Sequence, residues 1–406
     1  MKVAFLLCAL ALVSMNLRPA ITTLAGVMGQ LHGTFGVDAQ ALPLLGAAPV
    51  LAFGLSAPIG PWLARRTGTA TAIAVALTVL AVALLTRALV PGFLFPGTLV
   101  AGAAIMTASV LVPQIVKANR GTGWWTGLCT MGFGLGAALG AGLVQPLQEA
   151  LGSLEMALAI WAVPAVLAAV MIKAATRKAA AHQVAPGTST PATVFADVTV
   201  PLRRQGTAWA ITAFFGLQAM LYFAVTSWLA VFLESKGFAT GEAAALLAWF
   251  SIAGLPGSLL TPVLASRPRI LRILAPGLGI LVAAALLAVL VAPQGLQFTL
   301  IGVLGIIQSA PFGLGMALIV IRSAGPRTAG RLSAMTQGLG FSLAAAGPLL
   351  AGLLHTWTGG WTAPFWCMAG VGILLAVAGF AAVNGAQVTV GEEAAELPAQ
   401  PAAVGP

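Results

Sequence analysis

The sequence predicts an all-α integral membrane protein: twelve transmembrane helices in two pseudo-symmetric six-helix bundles. Three observations predict it. The 406 residues are 59% hydrophobic and 7% charged, with a mean hydropathy of +1.01, outside the range of globular domains. Apolar stretches long enough to cross the hydrocarbon core as helices, about 20 residues each, recur along the whole chain. One long polar interruption divides these stretches six and six.

The stretches run over 3–31, 41–64, 69–90, 92–115, 121–147, 153–173, 206–233, 242–265, 270–291, 296–320, 331–355 and 361–383. Isolated strands are excluded, because hydrocarbon leaves their backbone groups unpaired, whereas Gly and Pro inside such helices are tolerated when neighbouring helices satisfy the freed groups. The first run has no small-residue cleavage site closing a short apolar core and continues through Arg18-Pro19, so it reads as a membrane helix and not a signal peptide. The expected organisation is a bundle over 1–173, a cytoplasmic linker over 174–205, a second bundle over 206–383 and a disordered cytoplasmic tail over 384–406, where Glu392, Glu393 and Glu396 cluster with prolines.

With the N-terminus in the cytoplasm, sixteen of the nineteen Lys and Arg fall on that side, among them Arg65, Arg66, Lys117, Arg203, Arg267 and Arg331. Of the other three, Lys236 is in an outer loop, Arg87 near the outer end of the third span, and Arg18 inside the first. This asymmetry predicts an even number of spans with both termini cytoplasmic, in a bacterial inner membrane. The net charge of +10 thus reports topology, and the bilayer, not nucleic acid, is the anionic partner.

Arg18 is the strongest functional signal. A charge at mid-bilayer costs about 2.5–3.5 kcal/mol on insertion scales, so a cation there is a site hypothesis by default. All nine acids lie in predicted loops, helix ends or the tail, leaving no carboxylate to meet Arg18; an entering anion would be stabilised there. The same distribution argues against a proton relay of Asp and Glu, and His32, His182 and His355 sit in loops or near helix ends. No nucleophile with a base, paired acids or metal cluster can be assembled at mid-depth, which argues against an intramembrane enzyme; a receptor or scaffold is not expected to divide into two such halves. Cys8, Cys129 and Cys367 are far apart and read as small apolar residues. A phosphate-binding Gly-rich loop ending in Lys-Ser/Thr is absent, so neither ATP nor any other cofactor is expected.

Two equal bundles joined by a polar linker point to the major facilitator architecture, with a site between the halves near the midplane. Asn16-Leu17-Arg18-Pro19-Ala20-Ile21 resembles the first-helix motif of the cyanate and 2-nitroimidazole transporter family. Similar to that family are Pro49 through Gly54 with Leu63-Ala64-Arg65-Arg66-Thr67-Gly68; Gly216-Leu217-Gln218, Tyr222 and Trp228-Leu229; and Leu332 to Gly338 continuing to Trp361-Thr362-Ala363-Pro364. The resemblance, from about Met15 to Gly370, implies a secondary transporter of a small anionic or polar solute, cyanate-like or nitroimidazole-like, working as a monomer. Drug or metabolite efflux within the same superfamily is the alternative. This chain has Ser109 where the family usually has Asn, Ala219 where it has Ser, and Phe341 where it often has Tyr, which predicts an altered cavity; Arg65 stands where the superfamily's loop motif has an acid.

The expected substrate contacts are Arg18 and Asn16, Gln218 and Tyr222, which share a helical face four residues apart, and Ser109, Gln308, Gln337 and Phe341. Gln308 and Gln337 fit interhelical hydrogen bonding as well as ligand contact. Arg65, Arg66 and Gly68 are expected to act in conformational change, and Trp228 as a gate or interfacial belt residue. Gly127, Gly132, Gly136, Gly140 and Gly142 form a small-residue face that reads as close helix packing rather than an exchange signature.

Overall fold

The computed structural model describes residues 2–27, 31–35, 45, 49, 52–90, 92–180 and 201–390. In the first half these form α1 (Lys2–Asn16), α2 (Pro19–Gly26), α3 (Leu31–Phe35), α4 (Ile59–Thr67), α5 (Thr69–Leu89), α6 (Leu94–Ser109), α7 (Val112–Ala118), α8 (Gly123–Leu151), α9 (Leu154–Ala159) and α10 (Ala162–Ala180). The second half comprises α11 (Gly206–Ser235), α12 (Thr240–Ala265), α13 (Pro268–Val291), α14 (Gln294–Arg322), α15 (Pro326–Ala344), α16 (Ala346–Thr358) and α17 (Thr362–Asn384). Eleven of the twelve predicted spans coincide with helices long and apolar enough to cross a membrane. The other, 41–64, falls partly outside the described residues; what is described is helical over 52–56 and, past a turn at Ala57-Pro58, continues into α4.

Four spans are broken where the sequence reading placed one continuous helix, and each break directly precedes a segment with proline in its first turn: Pro19 in α2, Pro113 in α7, Pro164 in α10 and Pro348 in α16. Proline has no N–H and crowds the preceding residue, so the carbonyl four positions back loses its donor. Two of these freed carbonyls meet other helices. That of Met15, four before Pro19, faces Gly136 of α8; that of Ser109, four before Pro113, accepts the Gln337 amide of α15 at 3.5 Å.

The glycines of α8 account for its position. Gly132, Gly136 and Gly140 lie against the first span at Ala11, Met15 and Pro19, while Gly123 and Gly127 lie against the backbones of Pro262 and Leu259 in α12. A β-carbon at Gly123, Gly127, Gly136 or Gly140 would collide with main chain, so the small face lets one helix press on both halves at once.

The two halves are closed against each other at the end that carries the basic residues. There Lys117 Nζ donates to the Val320 carbonyl at 3.0 Å, Gln114 packs on Gly330, and Ser109 Oγ donates to Gln337 Oε1 at 2.6 Å. The seam continues to mid-depth, where Thr130 Oγ1 donates to the Ser258 carbonyl at 2.6 Å and Phe53 packs on Phe341 with centroids 5.4 Å apart. At the opposite end Lys236 Nζ donates to the carbonyls of Leu290 and Ala292 at 2.7 and 2.9 Å, at the C-terminus of α13 where the helix dipole favours a cation.

The chain after Asn384 corrects one expectation. Residues 385–390, assigned from the sequence to a disordered tail, form a strap across the basic end. Val388 is fully buried and pairs in parallel with Ser323; its N–H donates to the Arg322 carbonyl at 2.8 Å and its carbonyl accepts from Ala324 at 2.9 Å. Gln205 grips Thr389 from both sides, donating to its carbonyl at 2.7 Å and accepting from its N–H at 3.2 Å. Arg322 donates to the carbonyls of Val383 and Gly385. Composition marks this stretch as polar but cannot show that its backbone finds partners. The predicted first-half boundary at 173 also moves, since α10 runs to Ala180; most of the predicted linker, 181–200, and the tail from 391 lie outside the described residues.

Two outcomes are expected. Gly136→Leu forces a side chain into the Met15 backbone, and overpacking of about 1–3 kcal/mol should lower the thermal midpoint of the purified protein, whereas Gly370→Ala, where nothing lies within 4 Å, should leave it unchanged. Gln337→Leu removes the bond to Ser109, and a net loss of about 1 kcal/mol should open the basic end often enough to raise thiol labelling of a cysteine placed in the seam roughly five-fold.

Candidate functional site

The site begins at the first proline break. Asn16 ends α1 with its side chain already committed, Nδ2 donating to the Leu12 carbonyl at 2.8 Å and across to the Pro164 carbonyl at 3.1 Å. Arg18 then sits in the turn before Pro19, its carbonyl accepting the N–H groups of Ile21 and Thr22 at 3.0 and 3.1 Å. Its guanidinium lies 5.9 Å from the Phe133 ring centroid, a cation–π contact. Among the described residues no carboxylate or hydrogen-bond acceptor meets it.

Arg18 lines a cavity of about 470 Å³ enclosed by both halves. The first half supplies Arg18, Thr22, Thr130, Phe133 and the small residues Gly134, Ala137, Ala138, Ala141 and Gly142 of α8; the second supplies Gln218, Ala219, Tyr222 and Phe223 from α11, Ser251 and Ser258 from α12, Ser309 and Phe312 from α14, and Phe341 from α15. Thr130 and Ser258, whose hydrogen bond is part of the seam, are also cavity residues; the seam forms the floor. The walls are aromatic. Phe133 meets Phe312 edge to face at 5.7 Å, Phe215 bridges Phe312 and Phe341 at 6.0 and 5.3 Å, and Tyr222 packs on Phe223 and Phe250 at 5.8 and 6.1 Å. One cation, a few hydroxyls and one carboxamide on an aromatic wall can hold a flat solute by its faces and its anionic edge together.

The expected site residues divide. Arg18, Gln218, Tyr222 and Phe341 come together around the cavity. Asn16 does not line it, because its amide ties α1 to α10. Ser109 and Gln337 are paired in the seam, with Gln337 Nε2 also donating to Ser333 Oγ at 2.8 Å. Gln308 is fully buried and turned from the cavity, Nε2 reaching the Gln218 carbonyl at 3.4 Å, while its neighbour Ser309 lines the cavity. Trp228 is held in the second half, Nε1 donating to the Pro348 carbonyl at 2.8 Å with its ring 5.8 Å from that of Trp361. At the basic end Arg66 stacks 4.3 Å over Trp62, Gly68 takes the positive φ of 83° that turns α4 into α5, and Arg65 lines a second cavity.

Sequence reading passed over Phe133, Phe312, Ser251 and Ser258. The serines were within reach of it: Ser251, Leu255 and Ser258 follow the i, i+4, i+7 spacing of one helical face, and all three line the cavity. It also left Arg87 as a helix-end cation. Arg87 is fully buried, with Nη1 donating to the Ala20 carbonyl at 2.7 Å, so α5 holds the chain two residues beyond Arg18.

Comparison with known proteins agrees with this architecture. Residues 3–346 match the family model described as Major Facilitator Superfamily. The chain is 30% identical over 384 residues to the uncharacterized transporter YycB of Bacillus subtilis (strain 168), covering 92% of each chain. It is 29% identical over 397 residues to the cyanate transport protein CynX of Escherichia coli (strain K12), covering 95% of this chain and 100% of that one, and 27% identical over 382 residues to the 2-nitroimidazole transporter of the same organism, covering 93% and 95%. In fold it is similar to the proton:xylose symporter XylE, with a TM-score of 0.73 at 12% identity, covering 97% and 98%, and to the transporter FucP in its outward conformation, with a TM-score of 0.69 at 14% identity, covering 92% and 97%. With a family match along nearly its whole length, apolar helices throughout and a cavity enclosed by two helical halves, this chain belongs to the major facilitator superfamily and is a multi-pass membrane transporter.

Proposed function

We propose that the protein carries a small planar solute with an anionic or strongly polar edge, of the nitroimidazole-like kind, by alternating opening of the cavity to the two sides of the membrane. The observation that carries this reading is Arg18, a cation facing the cavity with no carboxylate partner among the described residues and an aromatic ring beside it. Arg18 would hold the anionic edge, Gln218 and the hydroxyls of Ser251 and Ser309 would take the remaining polar atoms, and Phe133, Phe312, Phe341 and Tyr222 would pack on the ring faces. The aromatic wall favours this class over cyanate. A three-atom linear anion has no ring face to lay on Phe133, Phe312, Phe341 or Tyr222. The excess of Lys and Arg at the basic end supports reading it as the cytoplasmic face, with both termini inside, and the bacterial source of the relatives supports an inner-membrane location.

Binding is tested by thermal shift on the purified protein with nitroimidazoles, aromatic and small carboxylates, nitrate and cyanate, since a ligand of the native state raises the midpoint. Planar aromatic solutes should stabilise most. Arg18→Ala should weaken binding of the best of them roughly 10- to 100-fold, the loss of about 1.5–3 kcal/mol for a charged hydrogen bond. Arg18→Lys should fall between, because an ammonium lacks the planar fork. Wild-type affinity in Arg18→Ala protein of equal stability refutes the assignment.

The charges also constrain energetics. Uptake of one anion into a cell negative inside is opposed by about 2.3 kcal/mol per 100 mV, which a proton carried on a mid-span acid could offset. Glu155 and Glu242 stand at the ends of their predicted spans and no acid stands at the middle of one, so efflux, facilitated movement, or uptake with the proton on the substrate itself is expected. In proteoliposomes with pH gradient and voltage imposed separately, strong proton-driven accumulation of a solute that cannot be protonated would refute this.

A further inference from the structure

Arg18 occupies a break in its span, and a break leaves the direction of its side chain to whatever fixes α1 against α2. Pro19 lacks the N–H that would bond the Met15 carbonyl, so helical hydrogen bonding does not carry the register of α1 across the turn. The glycines of α8 supply proximity, Gly136 at Met15 and Gly140 at Pro19, but close packing without donors or acceptors is non-directional.

Two buried polar side chains supply the direction, one on each side of Arg18. On the α1 side Asn16 Nδ2 donates to the Pro164 carbonyl of α10 at 3.1 Å. On the α2 side Arg87 of α5 donates through Nη1 to the Ala20 carbonyl at 2.7 Å. All four helices belong to the first half, so both bonds persist when the seam between the halves opens.

Stability alone does not account for Arg87. Its Nε and Nη2 are buried with no hydrogen-bond partner among the described residues, and Gly97 of α6 lies against its backbone and Cβ. Burying an uncompensated guanidinium costs more stability than one charged hydrogen bond contributes. A charge that destabilises its own surroundings at membrane depth marks a functional position, and the bond it makes goes to the chain two residues past Arg18.

We propose that Arg87 and Asn16 are positioning residues that clamp the two sides of the break and so fix the Arg18 guanidinium where an anionic edge meets it. This role rests on Arg18 being that contact. Neither residue lines the cavity, and each acts on the ligand only through Arg18. With the turn already ordered, an entering anion does not have to order it.

The test compares benzoate with benzamide, the same ring with and without the charge, by titration of the purified full chain alongside its thermal midpoint. Arg87→Met is expected to raise the midpoint, because the uncompensated charge is gone, and yet to weaken benzoate roughly 3- to 10-fold with benzamide unchanged. Arg87→Lys, which keeps a cationic donor, should recover most of the benzoate affinity, and Asn16→Ala should show the same selective loss as Arg87→Met. Parent-like benzoate affinity in Arg87→Met overturns the proposal. So does a lowered midpoint with both ligands weakened alike, the mark of a structural role only. A second measurement needs no ligand. A nitroxide on Arg18→Cys, with Cys8, Cys129 and Cys367 replaced by Ala, should be immobile in the parent and gain a mobile component when Arg87→Met is added. Should Arg18→Ala bind benzoate as the parent does, the substrate reading fails and the nitroxide spectrum alone decides the positioning; an unchanged spectrum overturns it.

Discussion

The guanidinium of Arg18 stands at a helix break where no carboxylate among the described residues meets it, and the surrounding structure answers that one constraint. Pro19 makes the break, and irregular backbone at membrane depth is tolerable only where it lines a cavity or is buried in protein. Here both hold. The turn faces the cavity on one side, while on the other the Met15 carbonyl lies against Gly136 and the Ala20 carbonyl accepts from Arg87. The Phe133 ring gives the cation a weak neutral partner, and such a contact can yield to an anion far more readily than a salt bridge could. A carboxylate in that place would neutralise the site, and an entering anion would first have to displace it from the guanidinium.

Alternation between two openings needs a seam that closes firmly and parts cheaply. The seam is made from glycine faces and a thread of mostly neutral hydrogen bonds, to which Lys117 adds a charged one on the Val320 carbonyl. Close backbone packing supplies dispersion contacts over a wide area, and each neutral bond contributes only about 0.5–1.5 kcal/mol. Because the bond between Thr130 and the Ser258 carbonyl ties the seam at the cavity floor, anything bound in the cavity touches the parts that must separate. Occupancy and opening are thereby linked through shared residues, with no longer route required.

The departures from the family pattern acquire different meanings once placed. Ala219 and Phe341 line the cavity, where they exchange hydroxyl groups for apolar surface and make the wall more aromatic and less polar. Ser109, by contrast, is in the seam, paired with Gln337, so the change there alters how the halves close and not what the cavity contacts. The relatives named as a cyanate transport protein and a 2-nitroimidazole transporter share about the same identity with this chain, so overall identity does not separate the two classes.

Span positions, the division into halves, the orientation signal and the singular charge of Arg18 were legible in the sequence, because hydrocarbon imposes length, apolarity and charge rules that act locally along the chain. The face shared by Gln218 and Tyr222 was legible for a related reason, since helical period alone sets which side chains stand together. What the sequence could not disclose was partnership. Asn16, Ser109, Gln308 and Gln337 carry the same polar groups as true cavity residues, and whether an amide meets a ligand or another helix depends on a neighbour distant in the chain, Pro164 for Asn16 and Ser109 for Gln337. The strap at 385–390 was hidden likewise, its backbone partners lying at Arg322, Ala324 and Gln205. The sequence by itself determined which segments enter the membrane and which charge sits at mid-depth; the tertiary structure decided which polar groups are spent on holding helices together and which remain for a ligand, because a hydrogen bond is satisfied by geometry between segments that composition does not relate.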